Sequence, residues 1–216
     1  MEKILVIDDS KITQMLVAEI LAGKYVLDFQ SDAASGIASA QKNLPDLILL
    51  DIALPDMLGY EVCRILKKGD ETKGIPIIFI TSKDSELERV KGFEAGAEDY
   101  VVKPFYLAEL LARVKVHLAF RRAKLQAVEL ERLTIFKEMA VAVSHEINNP
   151  LTTVYAYLHV LQREVSMDNE QVRQSLAGLQ GELGKIRQIV GKLRQASNIA
   201  VTSYSRDVTM IDLHNI

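Results

Sequence analysis

The first 105 residues alternate short apolar runs with amphipathic segments, and this alternation limits the chain to very few folds. The runs are Lys3 to Ile7, Tyr25 to Phe29, Leu47 to Leu50, Ile75 to Thr81 and Tyr100 to Val102, with helical patterns over 11–22, 33–43, 59–68 and 85–94. A run that is apolar throughout predicts a strand buried on both faces, and strands separated by helices must be joined by right-handed crossovers. The expected fold class is α/β, with a five-stranded, doubly wound parallel sheet. Polar residues that end such strands collect at the carboxyl edge, where a ligand is expected.

After Phe105 the pattern changes, because Pro104 is followed by no glycine or proline until Pro150. One long helix is predicted to close the first domain and continue outward. Leu111, Val114, Leu118, Leu125 and Val128, then Leu133, Phe136, Ala140 and Val143, fall close to alternating steps of three and four, the pattern of a coiled-coil connector. Met167-Asp168-Asn169 breaks the pattern. Val172, Leu176, Leu179, Leu183, Ile186, Val190 and Leu193 then form a strict heptad seam. The resulting helical hairpin is too thin to bury its seams alone, so two copies are expected to pair into a four-helix bundle, making a homodimer. The expected divisions are a first domain over 1–120, a connector over 121–135, the hairpin over 136–198 and a mixed tail over 199–216.

Charge and composition remove several function classes. Residues 1–120 carry 14 basic against 19 acidic side chains and residues 121–216 carry 12 against 10, so the net charge of −3 divides into −5 and +2. Neither half has the basic excess of a nucleic-acid binder. The single cysteine, Cys63, excludes an internal disulfide and fits a reducing compartment. No stretch reaches the roughly 18 apolar residues of a membrane span, and nothing resembles a signal peptide, so a cytoplasmic location is expected.

Asp8 and Asp9 follow the first strand and Asp51 follows the third; with those strands adjacent, three carboxylates converge and require a cation. Hard oxygen donors with room for water suit Mg²⁺. Thr81 ends the fourth strand and Lys103 follows the fifth, supplying a hydroxyl and an ammonium for phosphate oxygens. The five positions together make a phosphoryl-transfer site with Asp51 as nucleophile.

Ile4-Leu5-Val6-Ile7-Asp8-Asp9, Leu49-Leu50-Asp51-Ile52-Ala53-Leu54-Pro55-Asp56, Gly59, Ile80-Thr81-Ser82 and Val102-Lys103-Pro104-Phe105 resemble a response-regulator receiver domain over roughly residues 1–120. The resemblance implies a flavodoxin-like sheet, Asp51 as phosphoacceptor, and Asp8, Asp9, Asp51 and the Ala53 carbonyl as Mg²⁺ ligands. It also implies Thr81 as switch hydroxyl, Lys103 as phosphate contact, Tyr100 as a movable switch aromatic, and a cis Lys103-Pro104 bond.

Ser144-His145-Glu146-Ile147-Asn148-Asn149-Pro150-Leu151 lies inside the first hairpin helix. Seam positions Val143 and Ile147 stand two residues either side of His145, about 200° around the helix, so the imidazole is expected to face outward. A stutter at Ile147, together with Pro150, which has no N–H for the Glu146 carbonyl, predicts a strained helix beside it. The segment resembles the dimerisation and histidine-phosphotransfer domain of sensor histidine kinases. That implies His145 as phosphoacceptor, Glu146 as general base and Asn149 as the residue that places a hydrolytic water. His117, His159 and His214 read as ordinary surface positions. In a full kinase an ATP-binding lobe would follow, and Tyr204 to Leu213 resembles its lead-in. These 216 residues contain no glycine-rich phosphate loop or kinase asparagine box, so autophosphorylation from ATP is not expected of them.

The resemblances imply two-component signalling, in which a receiver phosphorylated on Asp51 regulates a dimeric histidine kinase-type phosphotransferase or phosphatase domain. That domain would pass phosphate through His145 to or from a response regulator. The competing readings are a non-catalytic regulatory dimer that docks on and titrates a sensor kinase or response regulator and, weakest because no basic recognition helix follows a tight turn, a transcription factor with an output helix pair.

Overall fold

The computed structural model describes residues 1–82, 85–164 and 170–207. The chain forms two compact units, Met1–Leu125 and a second that begins at Gln126. In the first, strands β1 (Lys3–Ile7), β2 (Val26–Gln30), β3 (Leu47–Leu50), β4 (Ile77–Thr81) and β5 (Asp99–Val102) alternate with helices α1 (Lys11–Leu21), α2 (Ala33–Asn43), α3 (Gly59–Lys68) and α4 (Glu86–Glu94). All pairings are parallel, in the order β2-β1-β3-β4-β5, which is the flavodoxin-like sheet.

Side chains alternate across this sheet, and the core therefore has two halves. Leu5, Ile7, Ile48, Leu50, Ile77 and Phe79 face the layer that contains Val62 and Leu66 of α3. Ile4, Val6, Leu47, Leu49, Ile78 and Ile80 face α1 and the start of α5 (Leu107–Glu164), where Leu110, Val114 and Leu118 are buried. Both faces of the central strands are covered, which is why β1, β3 and β4 read as nearly unbroken apolar runs, whereas edge strand β2 is only half-buried and carries Asp28. Cys63 belongs to the first half, and burial pushes its thiol up to about 12. Among the described residues no helix is long and apolar enough to cross a membrane.

Polar contacts fix α5 to the sheet. Arg113 Nη1 lies 2.9 Å from both carboxylate oxygens of Asp99, and His117 Nε2 lies 3.0 Å from Asp99 Oδ2. His117 is therefore no ordinary surface histidine: one turn after Arg113, it is the second partner of a β5 carboxylate. His159 is exposed as expected, and His214 lies outside the described residues. Farther along, Arg121 Nη1 donates to the Pro45 carbonyl at 2.6 Å.

In the second unit α5 is helical through Pro150, and α6 spans Glu170–Asp207. The expected break at Met167-Asp168-Asn169 and the tail from Val208 lie outside the described residues, while 199–207 continue α6. The heptad seam of α6 divides into two flanks. Leu176 and Val190 are buried and Leu183 half-buried, whereas Leu179 and Ile186 are 54% and 40% exposed. One neighbouring helix can cover only one flank of a two-position seam. On α5 the buried stripe runs Ala140, Ser144, Leu151, Leu158, so Ser144 takes the place expected for Val143, which is exposed. Its hydroxyl is satisfied within the helix by the Ala140 carbonyl at 2.6 Å.

Two consequences are measurable. Burial alone would raise the Asp99 carboxyl, but the Tyr100 N–H, His117 and Arg113 outweigh it and hold the group below its ordinary value of 3.8. The stability this provides is present above that value and lost as pH falls through the lower, folded one. Asp99→Asn should cost about 1–2 kcal/mol in urea unfolding at pH 7, with the gap to the native chain closing in acid. A gap independent of pH would contradict the assignment. At the start of α3, a Cβ on Gly59 would lie 2.2 Å from the Asp51 carbonyl oxygen and 2.9 Å from Ile52 Cα. Gly59→Ala should therefore destabilise the first unit by about 1–3 kcal/mol in the same measurement.

Candidate phosphoryl-transfer sites

The sheet order reverses between β1 and β3, and the loops at their carboxyl ends diverge there to leave a crevice. Ile7 is in register with Leu50, so Asp8 and Asp51 emerge side by side, and the Asp51 N–H donates to the Ile7 carbonyl at 2.8 Å. Both carboxylates are buried, while Asp9 is exposed at the rim. One ligand oxygen from each of Asp8, Asp9 and Asp51 lies within 4.8 Å of the others, a hard donor set of the kind that suits Mg²⁺.

Lys103, immediately after β5, reaches across to this pair. Its Nζ lies 2.6 Å from Asp8 Oδ2 and 2.6 Å from Asp51 Oδ2. Burial pushes the Asp8 carboxyl above its ordinary value despite the Lys103 ammonium and the Ser10 N–H, which donates to Oδ1 at 2.9 Å. The same burial would lower the Lys103 ammonium, but its hydrogen bonds to Asp51 and Asp8 hold it above the ordinary lysine value. The group thus stays a cation, able to pair with an incoming anion. The Lys103-Pro104 bond is cis, as expected. Thr81 is buried at the end of β4, Ala53 is exposed with its N–H 3.2 Å from Asp51 Oδ1, and Tyr100 is buried with its ring centroid 6.4 Å from that of Phe79.

Three further residues support the site in ways the sequence pattern does not assign. Gln14 Nε2 donates to the Asp8 carbonyl at 2.6 Å and to Ser31 Oγ at 3.2 Å, tying α1 to the loop that carries the carboxylates. Asp56 accepts from the Ala33 and Ala34 N–H groups at 2.8 and 3.0 Å, anchoring the loop after Asp51 to the start of α2. Gly59 supplies the close approach already described. Asp56 and Gly59 stand in the motif, but nothing in the sequence alone says what either touches.

In the second unit His145, Glu146 and Asn149 are exposed on α5, and Asn149 follows His145 by one turn. Buried Ser144 precedes the histidine, so the imidazole stands outside the covered stripe. Thr152 and Thr153 donate back to the Asn148 and Asn149 carbonyls at 2.8 and 3.4 Å, around Pro150. A groove of about 430 Å³ between α5 and α6 has Ser144, Asn148, Leu151 and Tyr155 on one side and Arg187 and Val190 on the other.

Known proteins match both units. The response regulator receiver domain family matches residues 4–115, and the His Kinase A (phospho-acceptor) domain family matches residues 137–200, which include His145. The response regulator ArlR of Staphylococcus saprophyticus is 35% identical over 174 residues, 76% of this chain and 77% of that protein. A response regulator from Chloroflexus aurantiacus, known by crystal structure, is 34% identical with a TM-score of 0.53, covering 55% of this chain and 98% of that one. The BeF₃-activated receiver domain of DrrB, a Thermotoga maritima protein, is 36% identical with a TM-score of 0.51, covering 55% and 98%. The chain therefore belongs to the response-regulator receiver family, its receiver domain followed in the same polypeptide by a His Kinase A phospho-acceptor domain, and its role is in two-component signalling.

Proposed function

We propose that Asp51 is the phosphoacceptor of a receiver that regulates a dimeric phosphotransfer hairpin, and that His145 of this hairpin passes phosphoryl groups to or from a response regulator. The observation that carries the reading is the Lys103 ammonium held 2.6 Å from both Asp8 and Asp51 beside the clustered third carboxylate of Asp9. A permanent cation among three carboxylates at a strand-order reversal is an arrangement for binding and neutralising a phosphoryl group.

Asp8, Asp9, Asp51 and the Ala53 carbonyl would hold Mg²⁺, which when bound supplies positive charge to the equatorial oxygens of the transferring group. Asp51 Oδ attacks phosphorus in line. A new P–O bond forms as the bond to the donor atom breaks, and the donor leaves with the electron pair. Lys103 exchanges its contact with Asp51 for a phosphoryl oxygen, and the Thr81 hydroxyl takes another. The change reaches Tyr100 through β4 and β5. On the hairpin, Glu146 orients the His145 imidazole and accepts its second ring proton, and Asn149 places water when a partner's acyl phosphate is hydrolysed. On this reading the protein is cytoplasmic and its partners are proteins, a sensor kinase, a response regulator or both. The weakly charged second half gives no support to nucleic-acid binding.

Incubation of the chain with Mg²⁺ and acetyl phosphate should add one hydroxylamine-sensitive phosphoryl group. Asp51→Asn should abolish it; equal labelling of the variant would overturn the assignment. Label appearing on His145 from a phosphorylated response regulator would support phosphotransfer, whereas its absence would favour a hairpin that only docks and titrates.

Homodimerisation is supported by the uncovered seam flank of α6 and by Val154 and Leu161, exposed on α5. Burying such a side chain against a second copy is worth about 1.5–3 kcal/mol. Leu179→Glu with Ile186→Glu should therefore convert a dimer to monomer in sedimentation. Far-ultraviolet helicity should persist, because Leu176 and Val190 remain to hold the hairpin. An unchanged dimer would place the interface elsewhere.

A further inference from the structure

α4 (Glu86–Glu94) is the helix of the receiver with least hold on its core. Gly92 is its sole buried helical residue, while Leu87, Val90 and Phe93 are all exposed. An element with so little buried apolar surface is kept in place by a few specific contacts, and its position can change at small cost. Contacts with three aromatic rings help hold it. Gly92 lies against Phe79, where an added Cβ would be 3.3 Å from the ring. The Arg89 guanidinium stands 5.9 Å from the Tyr100 ring centroid. In the first turn of α4 the Tyr60 hydroxyl donates to Glu88 Oε2 at 2.6 Å and lies 3.2 Å from the Glu88 carbonyl oxygen.

Tyr60 is well placed to report on Asp51. It follows Gly59, whose Cα is pressed against the Asp51 carbonyl and whose N–H donates to the Ile52 carbonyl at 2.9 Å. A shift of the Asp51 loop is therefore passed directly to the first turn of α3. The Tyr60 ring packs edge-on against Phe79 with centroids 5.4 Å apart, and the side chain is buried. Burial, together with the Glu88 carboxylate, pushes that hydroxyl well above the ordinary tyrosine value, so it remains a donor throughout the working pH range.

We infer that Tyr60 is a positioning residue that latches α4 to the Asp51 loop through its hydroxyl bond to Glu88. It provides a route to the α4 surface in addition to the one through Thr81 and Tyr100, whose ring packs on the same Phe79. The coupling part of this inference rests on the reading of Asp51 as phosphoacceptor; the latch itself does not. Because the ring is held by Phe79 and the hydroxyl carries the bond to Glu88, Tyr60→Phe removes the latch and leaves the Phe79 packing in place.

The test is residue-resolved amide hydrogen exchange on the full chain, with and without Mg²⁺ and beryllofluoride, whose binding is followed separately by ¹⁹F NMR. Without beryllofluoride, Tyr60→Phe should speed exchange across Glu86–Glu94 by about tenfold, the shift expected from losing one hydrogen bond to a charged acceptor, with β3 and β4 unchanged. Unchanged α4 exchange would overturn the latch. With beryllofluoride bound, the change in α4 exchange seen in the native chain should be largely lost in Tyr60→Phe and in Glu88→Ala. Glu88→Gln, which keeps an acceptor oxygen, should retain it. An equal response in Tyr60→Phe at equal beryllofluoride occupancy would overturn the coupling. A native chain with no ¹⁹F signal for bound beryllofluoride would instead defeat the Asp51 reading and the coupling with it, while the exchange rates without beryllofluoride still decide the latch.

Discussion

Everything at the carboxyl edge of the sheet depends on one ammonium group. Asp8 and Asp51 are buried beside each other by the β1–β3 pairing, and two such carboxylates repel strongly in the absence of a nearby cation. Lys103 supplies the cation from the next-but-one strand, 2.6 Å from each. Removing it would leave an uncompensated buried pair, one of the costlier defects a folded chain can carry. The same contact explains why the site suits a phosphoryl group: a lysine already desolvated and held among carboxylates can bind an incoming anion with little reorganisation.

The chemistry-bearing positions were legible because each interrupts an apolar run. Asp8, Asp51, Thr81 and Lys103 all stand at or just past strand ends, and parallel topology brings strand ends together. The supporting contacts were not legible in this way. Gln14, Asp56 and His117 act on groups 6, 23 and 18 residues away, in contacts fixed by how separate elements pack. Asp56 marks the limit well. Its identity belongs to a recognisable motif, yet its work is to anchor the start of α2, which only the fold reveals.

The hairpin was legible as a seam but not as a division of labour within it. A heptad pattern states which residues are apolar without stating which neighbour covers them. In the structure Leu176 and Val190 are buried while Leu179 and Ile186 are left open, and Ser144 displaces Val143 from the covered stripe. The displacement follows from the helical repeat: near the stutter at Ile147 the stripe advances by four, and a serine whose hydroxyl bonds its own helix can take an apolar place. His145 is outside that stripe in either register, so its accessibility does not depend on whether residue 143 or 144 is covered.

The proposed control of His145 by phosphorylation of Asp51 can be read directly in transfer kinetics. The most direct measurement is the rate at which labelled phosphate passes between a phosphorylated response regulator and His145, taken on the native chain with and without beryllofluoride and on Asp51→Asn. Label should reach His145 at a rate that changes severalfold when beryllofluoride occupies the receiver, with no such change in Asp51→Asn. Label on His145 at one rate in all these conditions would contradict the proposed control.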